Sequence, residues 1–451
     1  MGNRKGQRKK KREAEKEVNY FLEFRKILNH FFKGLVSELK QVNDPRNQSY
    51  ITHPPDLIFL VLIMKNATGL KSMRQMNDAF NTDEAIENMG SFIDIKNLAE
   101  LPHYDTINNL LERLDVQELT EVRYYMIREL IKKRSFDVYR LGINGKFYWT
   151  IAIDGTGLYS CFKERHCEHC LKKETKDKKT GEVVSVIYYH QVLEAKLVLG
   201  DMVISIATEF IENENEDVKK QDCELKAFYR LAEKLKEAFP RLKICLLADS
   251  LYACGPVFEV CESNDWEYIF RFKDGSIPSV ANKYKELKKL SPENQKTNGQ
   301  WQMQWVNEID YQGRELNVCD LEILSKESDK QSKKFVFLTS FKLNQKNIER
   351  VVKIGRSRWR IENEGFNRQK NHRLYIEHIN SHNYTAMKNH YLIAQITEII
   401  FALYEKGSGC FCILEKTIKE KSSNLLEAFR LKALTDEDLK CLEIPIQVRF
   451  T

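Results

Sequence analysis

Two short apolar runs, each ending on an aspartate, constrain this chain more than any other feature. Residues 147–154 read FYWTIAID and residues 243–249 read KICLLAD. Runs of this length, rich in β-branched and aromatic side chains, predict strands. Asp154 is followed by Gly155-Thr156-Gly157, which predicts a turn, and Asp249 by Ser250. A single aspartate at a strand end is usually a turn former or a helix cap. Two of them, ending apolar strands near the centre of one sheet, are candidates for chemistry.

The elements around these runs follow a definite order. Strand-like stretches at 186–199 and 202–211, separated by Gly200-Asp201, make a three-stranded antiparallel meander with 147–154. An amphipathic helix follows, with Leu225, Phe228, Ala232, Leu235 and Phe239 on one face. Then come the strand at 243–248, a helix at 256–262 and a strand at 266–272. This succession is expected of an RNase H-like α/β core. The expected division is a basic arm (1–13), a helical, DNA-binding region (14–140) and the first part of the core (145–274). A β-rich insertion (275–333), the second part of the core (334–405) and a helical C-terminal tail (406–451) complete it. The strand at 335–339 returns to the sheet, and one long helix over 347–370 closes the core. Within the N-terminal region, apolar spacing predicts helices at 18–35, from Pro55 through Met64, from Thr106 onward and over 119–133. Short helices with tight connections suit a helix-turn-helix DNA reader and equally a plain bundle.

Composition excludes whole classes. Hydrophobic residues make up 42% and charged residues 30% of the 451, as in soluble globular proteins. The longest apolar run, LIFLVLIM at 57–64, is far short of the roughly 20 residues that cross a bilayer. No apolar h-region follows the basic N-terminus, so the expected location is the cytoplasm, without membrane association. Net charge is only +7, but Lys9, Lys10 and Lys11 lie in a run of basic residues ahead of Glu13. Such an arm gains from counterion release on nucleic acid, or is simply a solvated tail. Eleven cysteines in a reducing compartment argue against a disulfide framework.

Phosphodiester cleavage and strand transfer use two divalent cations, and hard Mg²⁺ (or Mn²⁺) prefers carboxylate oxygens. A third acid to join Asp154 and Asp249 lies in Arg358-Trp359-Arg360-Ile361-Glu362-Asn363-Glu364-Gly365-Phe366, with Lys370 beyond. Helical spacing puts Arg358 and Glu362 on one face, with Phe366 and Lys370 at further intervals of four. Trp359, Ile361 and Phe366 are expected to bury one side of this helix. Arg358, Arg360 and Lys370 are the candidate phosphate contacts, and Glu364 is the alternative third acid. The Arg-Trp-x-Ile-Glu string with its downstream Phe and Lys resembles the signature of DDE transposases of the IS4-like insertion-sequence group. The resemblance covers about residues 145–400. It implies that Asp154, Asp249 and Glu362 are the catalytic, metal-binding triad for two Mg²⁺ or Mn²⁺ ions. It also implies a partner, DNA, as terminal inverted repeats and target, and a homodimer in the synaptic complex. The chain departs from the family pattern in three places. Gly355 stands where the family has Tyr, Gln369 where it has Lys, and Asp249-Ser250-Leu251-Tyr252-Ala253 replaces Asp-Arg-Glu-Ala, which marks a divergent subgroup. The alternative readings are an RNase H-like nuclease or resolvase, and a non-catalytic DNA-binding derivative of a transposase.

One cluster stands apart, CFKERHCEHC at 161–170. Cys167-x2-Cys170 has the spacing of half a zinc site, to be closed by Cys161, His166 or something distant. An exposed hairpin of reducible thiols is the other reading. Asp222 and Glu224 open a helix, where acids favour the dipole. His190 and Glu194 share a strand face and are assigned structural roles.

Overall fold

The computed structural model describes residues 18–161, 164, 167–324, 332–413, 416–448 and 450. Lys9, Lys10, Lys11 and His166 therefore lie outside the described residues. The fold is mixed α/β. Its sheet has 11 strands among the described residues, ordered β3-β4-β2-β6-β7-β11-β10-β9-β8, with β1 against β2 and β5 against β4. Strands β1 (Leu141–Ile143), β2 (Lys146–Cys161), β3 (Leu171–Lys176), β4 (Val183–Leu199) and β5 (Met202–Ile211) are antiparallel. Strands β6 (Ile244–Ala248) and β7 (Glu267–Arg271) then run parallel to β2. The strands β8 (Gln295–Asn298), β9 (Trp301–Tyr311), β10 (Arg314–Ile323) and β11 (Lys333–Thr339) extend the same sheet from β7.

Side-chain alternation explains why the central strands read as continuous apolar runs. Ile151, Ile153, Leu193, Leu197 and Leu246 face one way and join the largest core cluster. Ala152, Val198, Cys245, Leu247 and Ile269 face the other way into a second core. Both faces are covered, so both sets must be apolar.

Seven helices precede the sheet among the described residues. They are α1 (Tyr20–Phe31), α2 (Leu35–Lys40), α3 (Pro55–Ala67), α4 (Met73–Phe80), α5 (Asp83–Phe92), α6 (Tyr104–Leu111) and α7 (Val116–Lys132). The low contrast between the faces of α3 has a simple cause: twelve of its residues are buried, from Asp56 through Ala67. Helix α8 (Glu224–Ala238) covers one face through Phe228, Leu231 and Leu235. Helices α9 (Gly255–Asn264) and α10 (Pro278–Leu290) follow, and α10 falls at the start of the 275–333 segment expected to be β-rich. The opposite face receives α11 (Ile348–Ser357), a π-helical turn at Ile361–Asn367 and α12 (Arg368–Asn371). The single helix expected over 347–370 is thus interrupted. Helix α13 (Tyr384–Gly407) crosses the molecule, packing against α1, α3 and α7 as well as β5. Among the described residues, no helix is long and apolar enough to cross a membrane.

Candidate active site

Register brings the two aspartates together. In the parallel pair β2–β6, Ala152 lies beside Leu247. Two residues further along each strand are Asp154 and Asp249, which by the same alternation face the side occupied by α11 and the π-helical turn. Asp249 directly follows the last residue of β6, Ala248, and keeps extended backbone. Its Oδ1 accepts a hydrogen bond from the Leu251 amide at 2.8 Å and caps the short turn Ser250–Tyr252. Asp154 does not end its strand. The turn expected there is absent: β2 continues through Gly155 and Gly157 to Cys161, held by pairing with β4.

Glu362 lies in the π-helical turn, a widened geometry that often marks functional positions. Arg358, one turn earlier, joins the acids. Its Nη1 donates to Asp154 Oδ2 at 3.1 Å and its Nη2 to Glu362 Oε1 at 2.6 Å. The i,i+4 pair foreseen on this helix therefore also reaches a strand 204 residues away in sequence. Of the apolar residues expected to bury the helix, Ile361 and Phe366 do so, but Trp359 is 54% exposed. Glu364 turns away to Arg368.

A fourth acid enters from the other face of the sheet. Glu224, in the first turn of α8, accepts a hydrogen bond from Gln191 Nε2 at 2.7 Å. A Cβ on Gly155 would lie 2.4 Å from Glu224 Oε1. The glycine after Asp154 is thus needed for the close approach of this carboxylate rather than for a turn. Burial pushes the Asp154 carboxyl up to about 7; Arg358 opposes the shift, while Glu362, Glu224 and Asp249 reinforce it. Burial also raises Glu224, with Asp249 adding to the effect. The Tyr252 phenol, buried alongside, is raised by burial and then by Glu224, Asp154 and Asp249. These mutual influences place four carboxylates and one guanidinium in a single neighbourhood. Sequence reasoning left Glu224 as a dipole-stabilising helix residue. The available signal was Gly155, whose lack of a side chain required a close neighbour.

Two grooves share Arg356 in their linings, and only the first includes one of the acids, Asp249. One, of about 540 Å³, is lined by Asp249, Arg271, Lys273, Arg358, Trp359 and Asn363. The other, of about 880 Å³, is lined by Arg140, Arg350, Lys353, Arg356 and Arg360. Arg360 therefore faces a different groove from Arg358. Lys370 is engaged by Glu377 at 2.7 Å. The departures noted above have local reasons. A Cβ on Gly355 would lie 2.8 Å from the Phe337 ring, so a larger residue there would displace that ring. Gln369 is buried and bonded to Gln395 at 3.0 Å. His190 does not stand alone on its strand: Nε2 lies 3.5 Å from Cys167 Sγ and 3.4 Å from Cys170 Sγ. Glu194 is held by Ser205 and Thr208, which also bind Arg123.

Fold and site together define a mixed α/β protein that gathers carboxylates within one strand, just after its parallel neighbour and on the helical segment facing them. The family model "Transposase DDE domain" matches residues 213–397, and the model "DDE_Tnp_1-associated" matches residues 36–125. The chain belongs to the DDE-type transposases, proteins whose partner is DNA. Glu224, Asp249 and Glu362 fall inside the first match, whereas Asp154 precedes it. The second match runs from α2 into α7. No curated protein matches the chain.

Proposed function

We propose that this protein cleaves DNA at the ends of an IS4-like insertion sequence and joins the freed 3′-hydroxyl to target DNA. In this reading Asp154, Asp249 and Glu362 form the catalytic triad of an RNase H-like core, and Glu224 supports it as a fourth carboxylate. The observation that carries the proposal is the bridge from Arg358 to both Asp154 and Glu362, beside Asp249. It ties together acids from two elements far apart in sequence, and Asp249 from a third lies close enough to raise Asp154.

The donor set fits divalent cations. Every candidate ligand is a hard carboxylate oxygen, the choice of Mg²⁺ or Mn²⁺. Four acids against one arginine leave negative charge that such ions would neutralise. Two bound ions would supply activation of the attacking oxygen and stabilisation of the leaving one. The chain's own residues do the positioning. Arg358 holds Asp154 and Glu362 in place, and Gln191 holds Glu224. Arg271 and Lys273 offer positive charge to phosphates in the first groove. Exposed Trp359 offers a face on which an unpaired base can stack. The N-terminal helices, the basic arm and the second groove would hold more of the duplex, and a homodimer would hold two element ends.

The test is a cleavage and joining assay on DNA carrying the terminal repeats, with Mg²⁺ or Mn²⁺. Wild type is compared with Asp154→Ala, Asp249→Ala and Glu362→Ala. Metal-dependent joining that all three variants lose, with end binding retained, is expected. Hydrolysis without joining would instead mark a nuclease, and DNA binding without cleavage a non-catalytic derivative.

A further inference from the structure

The cluster Cys167, Cys170 and His190 is not used by the chemistry above. Its Sγ–Sγ separation is 3.7 Å, and its two Sγ–Nε2 separations are 3.5 and 3.4 Å. In tetrahedral zinc, bond lengths of about 2.3 Å to sulfur and 2.0–2.1 Å to nitrogen imply edges of about 3.8 Å and 3.6 Å. The three donor atoms thus sit at the corners of a tetrahedral face of the right size. The two cysteines are free at this separation, since bonded sulfurs lie about 2.05 Å apart.

The surroundings hold these donors in place. Cys170 and His190 are buried, and the Cys167 amide donates to Cys170 Sγ at 3.3 Å. The Tyr384 ring stacks on the His190 imidazole with centroids 4.6 Å apart, and its hydroxyl donates to Glu212 at 2.5 Å. Asn213 clasps the loop twice: Nδ2 donates to the Cys170 carbonyl at 2.9 Å, and its own carbonyl lies 2.9 Å from His169 Nδ1. Such outer contacts orient metal ligands. Among the described residues, His169 lies outside the group of donor atoms that converge here, which is Cys167, Cys170 and His190. The half-site read from the sequence is therefore joined by a histidine on β4, 20 residues beyond Cys170.

We propose that Cys167, Cys170 and His190 bind one structural zinc ion. The site staples the start of β3 to β4, one residue from Gln191, which holds Glu224. Tetrahedral zinc takes a fourth donor beyond these three. The test measures metal content, not activity, so it stands apart from the transposase reading. Full-length protein should contain one zinc per chain. Replacement by Co²⁺ should give a sulfur-to-cobalt charge-transfer band and tetrahedral d–d absorption. Cys170→Ser and His190→Ala should lose the zinc, and His190→Cys, which restores a third donor, should regain it. A folded wild-type protein that takes up no zinc when supplied with it would overturn the proposal. So would retention of one zinc by Cys170→Ser, or a cobalt spectrum without charge transfer. If Cys170→Ser and His190→Ala fail to fold, the wild-type zinc content and cobalt spectrum still decide.

Discussion

The carboxylate site and the cysteine–histidine cluster lie along the same β2–β4 ladder but are built on opposite principles. The first collects hard oxygens beside a groove, where burial and then the neighbouring acids raise Asp154 against the opposing charge of Arg358. The second collects soft sulfur and imidazole donors into a buried corner, closed over by Tyr384. A site that must admit DNA and labile cations cannot be sealed, whereas a site that only holds strands together gains by sealing. On the two proposals, one sheet separates catalysis from stapling by a few residues along a single strand, from Glu194 opposite Asp154 to His190.

The strongest way to break this comparison is to remove an acid. Asp154→Ala, Asp249→Ala or Glu362→Ala should reduce joining on the order of 10³-fold or more, without lowering the melting temperature of the metal-free protein. A comparable loss of stability would mean the acids are structural too. Removal of zinc by chelation should do the reverse, lowering the melting temperature by several degrees while carboxylate-dependent cation binding, read by Mn²⁺ titration, persists. Glu224→Gln sharpens the division within the acid site: joining should fall by about 10–100-fold with DNA binding unchanged. Gly155→Ala, which sets a methyl group 2.4 Å from Glu224 Oε1, should produce a milder version of the same defect. The smallest effect belongs to a buried charge in neither region. Lys65 is fully buried with Asn380 Oδ1 at 3.5 Å, and burial lowers its pKa to about 7. Its charged form opposes folding, so the cost is complete below about pH 7 and fades as pH rises towards 10.5. Lys65→Met should therefore stabilise the protein by about 1–2 kcal/mol near pH 6, with the gain vanishing at high pH in chemical denaturation.

Strands β2, β4, β5, β6 and β7 were legible because buried strands carry long apolar runs. Helices α4, α5 and α10 were not, because they are short or, in α10, bury only Val280, Ala281 and Tyr284. Asp154, Asp249 and Glu362 could be picked out because each follows or sits within such a pattern. The long reach of Arg358, the entry of Glu224 past Gly155 and the meeting of His190 with Cys170 depend on register between distant segments, which composition does not encode. Trp359 was assigned to the interior on hydrophobicity alone; its exposure beside the groove is a property of the site rather than of the residue type.

The way α13 crosses the molecule has a consequence for synthesis on the ribosome. The first helices are completed by residues made more than 300 positions later, since Tyr20 pairs with Tyr404 and Asn88 with Phe429. Tyr404 donates to the Tyr20 carbonyl at 3.2 Å, and Asn88 donates to the Phe429 carbonyl at 2.8 Å. Asn389 closes on the carbonyls of Leu111 and Leu114, both at 2.9 Å. Contacts so distant in sequence form slowly, because a long loop must close before they contribute. A chain interrupted before about residue 430 therefore lacks the partners that bury α1 and α5, and would present apolar helices to chaperones and proteases rather than a half-competent enzyme.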